Sequence, residues 1–354
     1  PYDPVERRVV IVNNGLSAGG AEGPIVYTLK GLKEAGWDPH FIGQYLGRAP
    51  GLDFHLESVR RSGVPAASLN QAAGPGPFLY AGVSRALAQS LSEAPPDFLL
   101  EVLDMAAALR DLRPAVVHLW QDDTATKHAF SALIAGARRI VLSGRNVNPT
   151  HFVFHRPHMR AAYAALAARP EIAFSNNSHA GARSYAEWLG VDAARIEVIH
   201  NGIDFGAWPA PPHDARATFR ARHGIPIEAP LVVGAFRLAP EKRPLLWIDA
   251  AAHALRARAD LRFAIAGDGP LAPAARTRAR KLGVDEKIAF LGEQADVGSL
   301  LAAADAFLLT SEHEGLHNVL IEAQWAGLPC ITTSAGGASE ALLVGETGWV
   351  ADDP

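Results

Sequence analysis

The sequence predicts an α/β protein of two Rossmann-like, doubly wound domains facing each other across a cleft, and three observations predict it. Short β-branched or apolar runs alternate with longer Ala-, Leu- and Arg-rich segments of helical period along the whole chain, the pattern of parallel sheets with crossover helices. The two halves open alike, with an apolar strand, a loop and a helix: RRVVIVNNGLSAGGAEGPIVYTLKGL in the first and APLVVGAFRLAPEKRPLLWIDAAAHAL in the second. Between them lies HNGIDFGAWPAPPHDARATFR, whose Gly, Asp and Pro residues disfavour helix and strand and mark a connection. With the boundary at Asp204, the domains are residues 1–204 and 205–354.

The strands follow in order from these runs. In the first domain they are expected at Arg8–Asn13, His40–Gly43, Ala115–Leu119, Arg139–Ser143, Ile172–Ser175 and Ile196–Ile199. In the second they are expected at Leu231–Phe236, Arg262–Ala266, Lys287–Leu291, Ala306–Leu309, Pro329–Thr332 and Gly348–Ala351. Ligands of such sheets gather outside the carboxyl ends of the strands, so the loops that follow them carry the functional candidates.

Composition narrows the class of function. A chain of 354 residues is long enough for two ordinary cores. With 33 basic and 37 acidic side chains the net charge is −4, so no global positive field holds nucleic acid, and no such partner is expected. The single cysteine, Cys330 in LPCITT, excludes an intrachain disulfide and a cysteine-based zinc site and reads as inert core. No apolar stretch reaches the ~18 residues of a membrane span. The amphipathic FLLEVLDMAAALRDL reads as a core-packing helix, with contact to a membrane surface as the alternative. A start at PYDPVERR and an end at ETGWVADDP, without a closing helix, read as a piece of a longer protein. The sequon at Asn176 reads as chance.

The most informative segment is ADAFLLTSEHEGLHNVLIEAQWAGLP: a strand, a loop holding Glu314 and Gly315, and a helix from about Asn318 that stops at Gly327–Pro329. The first-turn N–H groups and helix dipole suit a phosphate, received near Asn318 and Val319. Glu314 precedes the helix and Glu322 follows its first turn, so the two carboxylates flank that phosphate position and can accept hydrogen bonds from sugar hydroxyls. The plainer reading is two solvated glutamates. The loop after Leu231–Phe236 projects Arg237 and Lys242 before Pro244, a suitable first helical residue. A planar guanidinium and a mobile ammonium suit a diphosphate and offset the charge that develops as a nucleoside diphosphate leaves, unless both are ordinary surface cations.

In the first half, NNGLSAGGAEGP brings Gly15, Gly19, Gly20 and Gly23 between strand and helix and permits close backbone approach to a ligand, without the spacing of a P-loop. A competing reading is AGDGPLA, which has dinucleotide spacing at Gly267, Gly269 and Ala272, with Glu293 where a ribose acid would stand. It follows the domain's second strand rather than its first, and Pro270 removes an N–H from the turn. Asp-x-Asp is absent, so a diphosphate is to be held by Arg, Lys and backbone N–H groups rather than by metal; no metal and no cofactor is expected.

GGAE at 19–22, VIHNGID at 198–204, Arg237 with Lys242, AGDGPL at 266–271 and SEHEGLHNVLIEAQWAGLP at 311–329 resemble the retaining GT-B glycosyltransferases of family 4, over nearly the whole chain. The resemblance implies metal-independent transfer of a hexosyl group from a nucleotide sugar, with retention, between an acceptor-side domain and a C-terminal donor domain that lacks its final helices. It implies that Glu322 accepts ribose hydroxyls, Arg237 and Lys242 hold the diphosphate, Glu314 contacts the donor sugar, and Gly19 and Gly20 give the donor room. The leaving phosphate then helps deprotonate the acceptor in a front-face displacement.

Where the family commonly has a second histidine, VVHLWQDD presents His118 and then Trp120, so His118 reads equally as a catalytic ligand or as a core histidine. Arg145 in LSGRNVNP reads either as a group for an anionic sugar or acceptor, with Asp122 beside it, or as the ion-pair partner of Asp122 or Asp123. VHLWQDD, LSGRNVNP and SNNSHAGARSYAEWLG are similar to a branch that assembles bacterial capsules and exopolysaccharides, including the Vi-polysaccharide enzymes. That branch implies a UDP-sugar, an N-acetylhexosamine or its uronic acid, a glycan or lipid-linked acceptor, and a cytoplasmic place with peripheral contact to the inner membrane or an assembly complex. The alternatives are a nucleotide-sugar epimerase of the same fold and a non-catalytic nucleotide-sugar-binding subunit.

Overall fold

The computed structural model describes residues 2–48, 50–69, 96–207, 212–294 and 296–352. The chain divides into two compact units, Pro1–Ile203 and Asp204–Pro354. Each is built on one parallel sheet.

The first unit runs β1 (Val5–Asn13), α1 (Gly23–Glu34), β2 (Asp38–Gly43), α2 (Leu56–Arg61), β3 (Ala66–Ser68), α3 (Pro96–Leu112), β4 (Pro114–Trp120), α4 (Asp122–Ala135), β5 (Ile140–Gly144), α5 (His158–Ala167), β6 (Ile172–Asn176), α6 (His179–Leu189) and β7 (Ile196–Val198). Its sheet has the order β3-β2-β1-β4-β5-β6-β7. The second unit runs α7 (Ala215–Arg222), β8 (Leu231–Ala235), α8 (Pro244–Ala257), β9 (Arg262–Ala266), α9 (Ala272–Lys281), β10 (Ile288–Gly292), α10 (Val297–Ala303), β11 (Ala306–Leu309), α11 (Asn318–Trp325), β12 (Cys330–Thr333) and β13 (Gly348–Ala351), in the order β10-β9-β8-β11-β12-β13. Both sheets therefore start at an inner strand, grow outward, then reverse. The reversal leaves a switch point between β1 and β4 in one unit and between β8 and β11 in the other.

Every expected strand is present, with ends displaced by a few residues at most. The short β3 at the sheet edge was not expected, because three residues carry no period to read. Central strands are apolar on both faces because helices cover both. Val10, Ile11 and Val12 of β1 are wholly buried, as are Leu231 and Val233 of β8. In α3 the buried Val102, Met105, Ala106 and Leu109 make it a core-packing helix, the first of the two readings. Cys330 is buried, and burial pushes its thiol up to about 12. Asn176 is buried too, its side chain donating to the Asn146 carbonyl at 3.1 Å and accepting from Ser178 N–H at 3.2 Å, so the sequon has no room for a glycan. Among the described residues, no helix is long and apolar enough to cross a membrane.

A buried guanidinium organises the start of the second unit. Arg220 of α7 is 1% exposed and donates to the carbonyls of Ala303, Pro226, Ile227 and Ala229 and to Asp305 Oδ2 at 2.8 Å. Asp305 also accepts from Leu231 N–H at 2.8 Å, fixing where β8 begins. Replacing Arg220 by Leu strands this set of acceptors. It is expected to cost about 3 kcal/mol of unfolding free energy, read from urea denaturation; an unchanged midpoint would show that the chain tolerates the orphaned carbonyls.

Candidate functional site

In the second unit the expected residues lie on the two loops that flank its switch point. Loop 236–243 leaves β8 and loop 310–317 leaves β11. They are sewn together: Glu312 N–H donates to Glu241 O at 2.8 Å, Thr310 Oγ1 to the carbonyls of Lys242 and Arg243 at 3.2 Å, and Arg243 Nε to Thr310 O at 2.8 Å. Arg243 adopts the left-handed conformation (φ 47°), which turns the chain into α8 at Pro244. Sequence reading passed over Arg243, because a tie between loops 67 residues apart leaves no local pattern.

At the centre is Glu314, 8% exposed. Its Oε1 is the partner of Lys242 Nζ, accepts from Ser311 Oγ at 2.8 Å, and lies 3.7 Å from His317 Nε2. Burial alone would raise its pKa, but the Lys242 charge and the hydrogen bonds from Lys242 and Ser311 outweigh burial and hold it below the ordinary carboxylate range. Glu314 is therefore ionised. Gly336 (φ 50°) makes room for this loop, since a Cβ there would collide with the Glu314 carbonyl oxygen, and Gly337 N–H donates to Gly315 O at 3.0 Å.

The helix α11 begins at Asn318 with no side-chain cap, so its positive end lies beside Glu314 together with Val319. Glu322, one turn on, is partly buried and finds no side-chain partner among the described residues; burial pushes its carboxyl up to about 7. Arg237 projects into solvent from the end of β8, without a side-chain partner among the described residues. Glu314, Lys242, Asn318 and Val319 are thus brought together, Glu322 borders them one turn along α11, and Arg237 lies exposed on the loop that also carries Lys242.

AGDGPLA follows β9, and its glycines serve packing within the unit. A Cβ on Gly267 would strike the Phe236 carbonyl, and one on Gly269 would lie 2.6 Å from Leu238 O. Leu238 N–H donates to Asp268 O at 3.0 Å and Leu271 N–H to Leu238 O at 2.9 Å. The place of a dinucleotide fingerprint, the turn after the first strand, is held instead by FRLAPEK after β8.

In the first unit the Gly-rich loop after β1 and Gln121 after β4 flank the other switch point. Gly19 leaves its space to Glu22, whose Oε2 a Cβ there would hit, whereas Gly20 has no atom within 4 Å of such a Cβ. The room expected for a ligand at Gly19 is thus taken by the unit's own carboxylate. Glu22 is 9% exposed, accepts from Gln121 Nε2 at 3.4 Å, and its carboxyl is raised by burial.

His118 stands in a chain across three strands, its Nε2 2.7 Å from Ser143 Oγ, which is 2.6 Å from Ser175 Oγ. Burial first and the Arg145 charge second push it down to about 3, so the ring is neutral. This is the environment of the core-histidine reading. Trp120 fills the place of the second histidine, 2% exposed, with its indole N–H on Ala21 O at 2.8 Å.

Two expectations need correction. Asp122 is not an exposed sugar ligand: it is 5% exposed, and Oδ1 accepts from the hydroxyls of Tyr163 (2.7 Å) and Tyr185, which ties α4 to α5 and α6. The same bonds overturn its pairing with Arg145. The guanidinium of Arg145 instead lies 4.2 Å over the Trp120 ring and donates through Nη2 to Asn201, and its charge is balanced by Glu22. Its Nε is buried without a partner. Burial pulls its pKa down to about 9.

Residues 229–354 match the glycosyl transferases group 1 family. The chain is 36% identical over 268 residues to the Vi polysaccharide biosynthesis protein VipC/TviE of Salmonella typhi, covering 74% of this chain and 46% of that protein. It is 33% identical over 175 residues to a D-inositol 3-phosphate glycosyltransferase of Mycobacterium tuberculosis, covering 49% of this chain and 36% of that one. The chain thus spans less than half the length of these curated relatives. In fold it resembles Anabaena Alr3699/HepE, solved in complex with UDP and glucose, with a TM-score of 0.77 at 22% identity over 98% of this chain and 85% of that one. The fold is that of the GT-B glycosyltransferases.

Glu322 gives a test that needs no ligand. Its folded pKa of about 7 lies above the ordinary value of 4.5, so between these the folded state binds more protons than the unfolded one. Its contribution to stability is full below pH 4.5 and lost as the pH rises to about 7. Glu322→Gln is expected to gain stability over wild type across that window and to hold the gain above it, read as unfolding midpoints from pH 4 to 8. A constant difference between the two proteins would remove the shifted pKa.

Proposed function

We propose, from the match of residues 229–354 to the glycosyl transferases group 1 family, that the protein is a metal-independent, retaining glycosyltransferase of family 4 that moves a hexosyl group from a UDP-sugar to a bacterial polysaccharide or its lipid-linked precursor. The observation that carries the reading is the convergence of an ionised Glu314, Lys242 and the uncapped start of α11 at the β8/β11 switch point, bordered by the unpartnered Glu322. The Salmonella relative's part in polysaccharide biosynthesis and the UDP held by the Anabaena protein support the acceptor and donor classes.

In this reading the diphosphate meets the N-terminus of α11, Arg237 and Lys242. Lys242 already neutralises Glu314, so an arriving phosphate shares a cation held in place and costs little reorganisation. The two cations then offset the charge on the leaving UDP, and its phosphate takes the acceptor proton. Glu314 accepts a donor-sugar hydroxyl, and Glu322 the ribose hydroxyls. His118 is kept neutral beside Trp120, and Arg145, supported on the Trp120 ring, offers a cation on the acceptor side.

Peripheral contact with anionic lipid at the cytoplasmic face is part of the proposal. No Asp or Glu occurs between Asp123 and Glu171, and inside that stretch Val153 and Phe154 are 96% and 43% exposed, next to Arg156 and Arg160.

UDP is expected to raise the unfolding midpoint by several degrees with no change on adding EDTA, since a ligand at about 100 times its Kd stabilises by ~2.7 kcal/mol. A shift with NAD alone would overturn the reading. Glu322→Ala and Arg237→Ala are each expected to weaken UDP binding by about 1–3 kcal/mol in calorimetry, with UDP released from the donor only when acceptor is supplied. Co-sedimentation should pull the chain down with vesicles containing phosphatidylglycerol and leave it behind with pure phosphatidylcholine. Val153→Ser with Phe154→Ser should abolish the pull-down; equal recovery of the double variant would exclude this segment.

A further inference from the structure

His317 sits at the threshold of α11, three residues beyond Glu314, and its side chain is 1% exposed. Both ring nitrogens are buried, and neither has a hydrogen-bond partner among the described residues. Three ordinary structural uses of a histidine at this place are unfilled. It does not cap the helix with its side chain. It does not hydrogen-bond Glu314, because 3.7 Å is beyond a hydrogen bond. It joins no polar relay of the kind His118 makes with Ser143. A buried polar ring without partners is costly in a native fold and calls for a group that completes it.

We infer that His317 is a donor-sugar binding residue that hydrogen-bonds a hydroxyl of the transferred glycosyl group and so helps to choose the sugar. The inference rests on the nucleotide-sugar reading of this site and adds a residue that the paired-glutamate motif does not assign. Burial first, against the opposing pull of Glu314 and with the push of Lys242, holds the imidazole down to about 4. The ring is then neutral and carries one donor and one acceptor. The two nitrogens point apart, so a single sugar hydroxyl meets one of them, accepting from the ring N–H or donating to the bare nitrogen. Glu314 can accept a hydrogen bond from a further hydroxyl on the same side, so carboxylate and imidazole together read a pattern of hydroxyl groups. UDP without its sugar makes none of these contacts.

The test uses the whole chain, with UDP, UDP-glucose and UDP-N-acetylglucosamine as probes and the ratio of UDP-sugar Kd to UDP Kd as the readout, taken for whichever sugar nucleotide wild type binds more tightly. His317→Leu is expected to raise that ratio about tenfold. Its UDP Kd should stay within about twofold of wild type, and the ligand-free unfolding midpoint should be unchanged or raised, because an unsatisfied buried ring has been replaced by an apolar group. His317→Asn keeps a donor and an acceptor and is expected to bring the ratio back to within about threefold of wild type. An unchanged ratio in His317→Leu with normal UDP binding overturns the inference alone. A lowered ligand-free midpoint in His317→Leu, with sugar and UDP affinity falling together, marks a structural ring and also overturns it. Failure of wild type to bind UDP at all overturns the nucleotide-sugar reading and this inference with it.

Discussion

The buried carboxylate of Glu314 sets the terms for the rim of the second unit. A charge held 8% exposed at the end of a sheet survives only where a cation and a hydroxyl reach it, and Lys242 and Ser311 are those groups. They come from loops that leave β8 and β11, neighbouring strands whose crossovers diverge at the switch point. The ion pair therefore closes a gap that the topology opens. Arg243, in its left-handed turn, and Thr310 fasten the backbone on either side of the pair, while Gly336 allows the next loop to press against Glu314.

This arrangement suits the diphosphate binding proposed above. Lys242 is held in place by its ion pair with Glu314. Glu314 stays ionised because of Lys242, whereas Glu322 on α11, with no cation to offset its burial, is pushed up to about 7. Two glutamates eight positions apart thus hold different protonation tendencies. The difference comes wholly from their neighbours.

The first unit solves the same topological problem with different chemistry. Its switch-point loops hold Glu22, Gln121 and the Gly-rich turn, and behind them His118, Ser143 and Ser175 form a neutral relay across the strand ends. Trp120 replaces a second histidine with a flat, buried ring, and Arg145 lies on it. A cation supported by an aromatic face and balanced by Glu22 keeps its orientation while one nitrogen remains unpaired. Asp122, next in sequence to this cluster, is turned away into the tyrosine pair and serves the packing of α4.

The sequence by itself determined the α/β class, the strands that build both sheets and the start of α8 and α11, because apolar runs, helical period, Pro244 and the Gly327–Pro329 stop are local signals. It also located Glu314 and Glu322 as candidates from their spacing within one strand-loop-helix unit, and Lys242 from its place in the loop of another, because each of these signals is local. Tertiary structure alone decided what each group touches. That Arg243 rather than Arg237 laces the two loops, that Asp122 serves two tyrosines, that Glu22 fills the space beside Gly19 and that His317 is buried without a partner all depend on contacts between segments distant in the chain or on burial, neither of which leaves a pattern along it. The edge strand β3 escaped for the opposite reason: three residues are too few for a period, and only pairing with β2 makes them a strand.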